Sequence, residues 1–593
     1  MKRLAVITQG QWLTLAVFLL LLIAYHFIFG QFFPARNGML GHDYSHILPN
    51  LLDGYFWFRS NGIFEPFWFT PGFCGGQPAL GAPESAYYSV AQMMVFLVNP
   101  MTSVYITVLL FASLGFWGFY LLLRASFGLS CQAAALGGAL FMFNGFFIHR
   151  MIIGHFTFHG VMLIPWIAYF LLRPDRKCVI TTLINGAIAG CMIGYGIYSG
   201  MVHLLLPCAL AVIGIACVQV LVRGNSSGFL PRAMSAVLVA GGLSASKLTA
   251  ALLFLHNFPR NDYSLPGITG ILDVLYLLFN ELFFSPADIA DQAMPLLGGA
   301  QWFLERHEWE YGVTWVPLLF ILVGTLVTLN QIKTKHLRQD STKWAWLVLL
   351  GFILALPLVL NIYTAGWNAF LKQVPLIKSS SNLLRWFVAY IPLIILLTSV
   401  LLDKISPLNS YKSGMLIAAL VALISINAAK DRNYYHNQGY WPGAIVHAWE
   451  TAHASREQVH IQNISAANYR KMNCNDEIAF GKSQLACYNP MFGYQHERFP
   501  LKTLHSGLVM EETNGYLNIK NPACYTYPEQ NECVPGDHFT VNQKDVAQTF
   551  VSYKPFPFNF ARSQKLANWI TLTTLVLLTV LIAIALSKKI RRI

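Results

Sequence analysis

The chain has 593 residues, of which 55% are hydrophobic, 14% aromatic and only 11% charged. A water-soluble domain carries about 25% charged residues, so the composition excludes a soluble globular protein and points to a polytopic membrane protein. The formal net charge of +13 comes without a stripe of cations interleaved with aromatics. Nucleic acid is therefore excluded as a partner, and the excess Lys and Arg read as orientation signals in cytoplasmic loops.

The first element, near 11–30, follows a basic start, lacks a small-residue cleavage site and is long for a signal peptide, so it reads as a retained helix. Runs of roughly 20 apolar residues, enough to cross the hydrocarbon core, continue near 102–123, 129–148, 156–172, 178–196, 200–222, 233–256, 311–330, 344–362, 384–402, 412–429 and 567–587. About twelve spans place both termini on one side. Lys2, Arg3, Arg124, "RPDRK" (173–177), Arg223, Arg232, "KTKHLR" (333–338), Lys404, Lys412 and the tail "SKKIRRI" all fall on that side, which is then cytoplasmic.

Four long segments remain for the opposite, outer side: 31–101, 257–310, 363–383 and 430–566. The first two contain short apolar stretches with embedded charge, such as "GILDVLYLLFNELFF", which read as helices lying in the interface. Residues 430–566 are rich in Asn, Tyr, His and Gln and read as a small folded extracytoplasmic domain between the last two helices. Four of the ten cysteines, Cys474, Cys487, Cys524 and Cys533, fall inside it. An even number in such a compartment predicts two disulfides. Proximity favours Cys474–Cys487 and Cys524–Cys533; zinc is the rival, without CxxC spacing to support it.

Chemistry concentrates at the outer ends of the spans. "GHDYSH" sets Asp43 between His42 and His46, about a dozen residues beyond the first span. The Pro-, Gly- and aromatic-rich stretch that follows folds the loop back on the membrane. Asp43 there is either a base for an incoming hydroxyl or a solvated or capping carboxylate. Lys247 lies inside an otherwise apolar span. A charge there costs roughly 2.5–3.5 kcal/mol on insertion scales and faces a cavity or partner. A lipid phosphate is one such partner; snorkelling or a buried carboxylate is the alternative. Arg260 closes the same span and could fork onto that phosphate, or pair with Asp262. Arg385 opens a later span as an anchor or a cavity residue. His149, His155 and His159 share a short stretch whose spacing favours neutral hydrogen bonds over a metal. Glu308 and Glu310 precede the eighth span as solvated acids, second acids or cation ligands. No P-loop, GxGxxG, HExxH or GxSxG is present, so no direct use of ATP is expected.

In order, "GHDY", "GGQP", "GH" at 154–155, "ASK" and "FPR" around the seventh span, "EYGV" into the eighth and a late-span Arg resemble the multispanning GT-C glycosyltransferases, particularly the bacterial YfhO-like type. The succession covers most of residues 1–430. The resemblance implies an all-α GT-C-like membrane domain over 1–429 with outer amphipathic helices, the extracytoplasmic domain over 430–566, and a final helix with basic tail over 567–593. It further implies a bacterial cytoplasmic-membrane enzyme moving a sugar from a polyprenyl-phosphate donor to an envelope glycan, lipid or protein. In that scheme Asp43 is the catalytic base, Lys247 and Arg260 serve the donor phosphate, and His42, His155, Arg385 and Glu310 line the cavity. His42 and Tyr44 stand where some members carry a second acid, a departure that weakens the case for a metal. No cofactor follows from the sequence, and a divalent cation stays an open alternative. A transporter or flippase, or a non-catalytic polysaccharide-assembly component, are the rival readings.

Overall fold

The computed structural model describes the chain apart from residues 1–8, 34–36, 175–178, 225–227, 258–264, 301–302, 333–340, 376, 379, 381, 406–408, 431–438, 456–457, 467–473, 486–503 and 591–593. Ten of its helices are long and apolar enough to cross a membrane, from Gly10–Phe32 to Arg562–Ile584. Two shorter apolar helices, Phe156–Leu172 and Val316–Leu326, occupy the fourth and eighth predicted spans. The protein is thus an all-α polytopic membrane protein, with every predicted span matched by an apolar helix.

Local chemistry starts and joins these helices. Asn99 caps Pro100–Leu121 by accepting from the Thr102 amide, with Pro100 at the first helical position; Ser130 and Asn144 cap the next two helices in the same way. Glycine lets backbones approach: a Cβ at Gly186 or Gly190 would lie 2.6 Å from the carbonyls of Arg232 and Ala236. Helix Phe229–Asn257 therefore packs tightly on Val179–Tyr198. Its other side is tied to the last helix by polar bonds, Ser246 Oγ to Asn568 Oδ1 at 2.7 Å and Thr571 Oγ1 to the Gly242 carbonyl at 3.1 Å. Such bonds hold helices together where lipid removes the hydrophobic driving force.

One face of the bundle carries nearly all the remaining structure. Helix Tyr44–Asn61 and the antiparallel pair Phe69–Thr70 with Gln77–Pro78 form its inner layer. The segment predicted as a separate domain is built into that layer. Its strands form two small sheets, Asn463–Ser465 between Lys482–Gln484 and Gly507–Leu508, and Tyr516–Lys520 between Glu512–Thr513 and His538–Thr540. It joins the first loop through an antiparallel bridge of Leu40 with Tyr440, the Lys520 amide on the Gly75 carbonyl at 2.8 Å, and the Gly75 amide on Ser483 Oγ at 2.9 Å. Cys524 and Cys533 form a disulfide as expected. Cys74 of the first loop is disulfide-bonded too, so bridging is not confined to the late segment. Cys487 and the side chain of Cys474 lie outside the described residues.

The deepest joint between the two segments is Asp53, which is fully buried. Its carboxylate accepts from Thr70 Oγ1 at 2.7 Å, Tyr87 OH at 2.7 Å and Tyr553 OH at 2.8 Å. Burial pushes this carboxyl up to about 7 against the three hydroxyls that lower it. The folded value lies above the unfolded one of about 3.9, so Asp53 favours the folded state most below that value. The contribution is lost as pH rises through about 7. Asp53→Asn is therefore expected to flatten the fall in thermal stability between about pH 4 and about pH 7, measured by unfolding in detergent.

Candidate active site

The site is assembled by close backbone contact between the first loop and the end of helix Gly145–Ile153. A Cβ at Gly41 would lie 2.3 Å from the carbonyls of Ile152 and Ile153, so only glycine fits. Gly154 turns the opposing chain at φ +110°, with the Tyr44 amide 2.6 Å from where its Cβ would be. The Asp43 amide donates to the Ile153 carbonyl at 3.1 Å and Tyr44 OH to the Met151 carbonyl at 2.5 Å. This locking sets Asp43 opposite His155.

Asp43 precedes helix Tyr44–Asn61 but its side chain makes no capping bond. Its Oδ2 instead lies 2.8 Å from His155 Nε2, and Oδ1 lies 3.6 Å from His42 Nε2. The Asp43 side chain is 33% exposed, at the rim of a partly open polar cluster, the crater, that it shares with His42, His155 and His307. Burial works to raise its carboxyl, yet the His155 bond and the charges of His155, His42 and His307 outweigh this and hold it well below the usual carboxylate range. Burial takes the His155 imidazole down to about 4 against the pull of Asp43. At neutral pH Asp43 is thus ionised and accepts the Nε2–H of a neutral His155.

Behind this pair lies a buried charge node. Glu308 accepts from Arg150 Nη2 at 2.9 Å, Arg385 Nε at 3.2 Å and Asn382 Nδ2 at 3.1 Å. Burial raises its carboxyl, but Arg385 and Arg150 prevail and hold it well below the usual range. Arg150 also donates to the His307 carbonyl, which fixes the His307 ring 4.8 Å from that of His155. Phe158 packs beneath all of them, its centroid 5.2 Å from His155, 4.7 Å from His203 and 5.2 Å from Arg385 Cζ.

Other predicted residues sit elsewhere. Glu310 is fully buried away from the crater, held by Arg306 Nε at 2.9 Å with His149 and Lys430 beyond. Lys247 is fully buried and donates to the Ser85 carbonyl and Oγ at 3.1 Å each and to the Tyr198 carbonyl at 3.2 Å. That environment is three neutral oxygens, where a phosphate partner was expected. Arg260 lies outside the described residues. His149, His155 and His159 do not converge, because His159 bonds the Phe156 carbonyl and Tyr195 OH, both at 2.7 Å. The donor atoms that do converge are those of His155, His307 and Glu308, within 4.8 Å of one another. Two imidazoles and a carboxylate suit a zinc-like cation, although Glu308 already holds two guanidiniums. Sequence reasoning missed Arg150, His307, Glu84 and His203. "ERHEWEY" and "GAPES" are the only signals they leave, since nothing local ties them to Asp43.

An apolar cavity of about 220 Å³ runs between the spanning helices, lined by Gly160, Ile164, Met201, Leu205, Val212 and Phe229 among others. Gly160 and Met201 of its lining pack on one another and stand two positions along the chain from Phe158 and His203, whose rings are in contact. The apolar slot is thus tied to the polar crater by two short stretches of chain.

No family model matches the chain, and no curated protein matches it. Among solved structures it is similar to the oligosaccharyltransferase of Archaeoglobus fulgidus in its apo form, with a TM-score of 0.41, 13% identity, and coverage of 80% of this chain and 65% of that one. The same enzyme tethered to an acceptor peptide gives 0.41, 13%, 80% and 64%. Its complex with Zn and sulfate gives 0.39, 13%, 80% and 62%. The chain thus spans at most 65% of the length of these structures.

Removing one partner from a buried ion network leaves uncompensated charge, at a cost of about 3–5 kcal/mol. Glu308→Ala is expected to lower folding stability by that order, read as a shifted denaturant midpoint, because Arg150 and Arg385 lose their shared anion.

Proposed function

We propose that the protein is a GT-C-type glycosyltransferase that moves a sugar from a polyprenyl-phosphate carrier to a hydroxyl-bearing envelope acceptor, on the outer face of a bacterial cytoplasmic membrane. The observation that carries this reading is the partly exposed Asp43 carboxylate hydrogen-bonded to His155, in a protein that also holds an apolar slot between its spanning helices. A carboxylate so placed can take the proton of an acceptor hydroxyl as that oxygen attacks the anomeric carbon. His155, neutral and donating through Nε2, orients the carboxylate rather than competing for the proton.

The donor's isoprenoid chain fits the slot, which the bilayer feeds and which offers only apolar walls. Its phosphate then arrives beside Phe158, where Arg385 is the guanidinium that reaches the crater, 23% exposed. A fixed cation in a water-poor site stabilises the charge developing on a leaving phosphate. Arg385 is thereby proposed for the phosphate role that the family resemblance gives to Lys247 and Arg260. In this reading Asp43 acts as the base and no covalent sugar intermediate forms, so the transfer is a single displacement with inversion. His155, His307 and Glu308 would hold a divalent cation if one binds; bound there it would supply Lewis-acid help to the phosphate. The acceptor class remains glycan, lipid or protein.

Asp43→Asn is expected to fold and yet lose at least about 100-fold in transfer, the usual scale for a missing base; label transfer from a radiolabelled polyprenyl-phosphate sugar checks it, and near-normal turnover removes Asp43 from the mechanism. Ala209→Trp, which fills the slot, is expected to raise KM for a long-chain donor about tenfold with kcat little changed. A donor bearing only two isoprene units should be indifferent to that substitution.

A further inference from the structure

The grip on residues 84 and 85 is stronger than a connecting loop needs. Lys247 Nζ gives two of its bonds to Ser85 and the third to Tyr198 at the end of helix Val179–Tyr198. Gly200, at φ +91°, lets the Glu84 carbonyl come within 2.6 Å of where a Cβ would stand. Lys247 of one spanning helix and the turn at Gly200 that follows another thus hold the backbone at 84–85. An ammonium taken into the hydrocarbon region is costly, and what this one secures is the stretch that carries one acidic side chain.

That side chain is the Glu84 carboxylate, 21% exposed, with Oε1 3.8 Å from His203 Nδ1. It is close enough to Arg385 to act on it electrostatically. His203, 24% exposed, packs on Phe158. Two acid–imidazole pairs, Asp43 with His155 and Glu84 with His203, therefore meet on the Phe158 ring, against which Arg385 also lies. A carboxylate offers acceptors and no donors, so it suits hydroxyls and opposes phosphate.

We propose that Glu84 contacts the transferred sugar, accepting hydrogen bonds from its hydroxyls and helping to decide which sugar is used, and that Lys247 is the positioning residue that aims it. This rests on the transfer reading above. A site built to bond a substrate hydroxyl discriminates strongly against analogues that place it elsewhere.

The test measures kcat/KM for a set of epimeric sugars on one polyprenyl phosphate, with wild type, Glu84→Gln, Lys247→Met, Ser85→Ala and Asp43→Asn. Glu84→Gln should cost the preferred sugar about tenfold or more while its epimers lose less, so that the preference narrows. Lys247→Met should narrow it in the same sense, and the double variant should be no worse than the worse single, as expected of residues acting through one contact. Ser85→Ala removes one of the three lysine bonds and should reproduce the change in smaller degree if Lys247→Met fails to fold. A Glu84→Gln profile that keeps the wild-type ratio among epimers, even with a uniformly slower rate, overturns the proposal while an inactive Asp43→Asn leaves the transfer reading standing. Unimpaired transfer by Asp43→Asn sinks the transfer reading, and this inference with it.

Discussion

The organisation of the crater depends on the expense of burying charge. A carboxylate and a guanidinium withdrawn from water lose several kcal/mol each unless they find one another with good geometry. Glu308 meets that demand with two guanidiniums and an amide drawn from two distant stretches: Arg150 near the end of one apolar helix, and Arg385 with Asn382 at the start of another. Because none of these groups can be left alone, the loop carrying Glu308 has one place to lie. His307 is carried with it to His155, and the wall of the crater follows.

Backbone contact does the rest. Gly41 and Gly154 bring two chain segments so close that no side chain could intervene, and the Asp43 carboxylate is aimed by that contact rather than by its helix. The same loop is gripped on its far side by the 430–561 segment, through the Leu40–Tyr440 bridge and the Asp53 cluster. Late and early polypeptide thus share one folded layer, and a disturbance in either reaches the site. These contacts hold the Asp43 and His155 side chains in one arrangement.

The structure gives several candidate residues surroundings that the sequence alone does not. A cation in an apolar span needs a partner, and Lys247 has one. The partner is a set of neutral oxygens on the loop that carries Glu84, not an anion. Glu310 and Glu308, two residues apart in sequence, have opposite surroundings: one is closed off by Arg306, His149 and Lys430, the other joins the crater. Spacing along the chain could not tell them apart, since only the turn at 306–308 separates their directions.

By itself the sequence determined the class of molecule and the positions of its apolar helices, because hydrophobic length is a local property. It also made the Cys524–Cys533 bridge legible, the two being nine residues apart. Only the tertiary structure decided that Arg150, Arg385, His155 and His203 lie against Phe158, that Glu84 meets His203 and His307 meets His155, and that the late segment joins the first loop. Most of those contacts link residues far apart along the chain, selected by the need to pair buried charge and to satisfy backbone groups away from water, and no short stretch of chain encodes such a pairing.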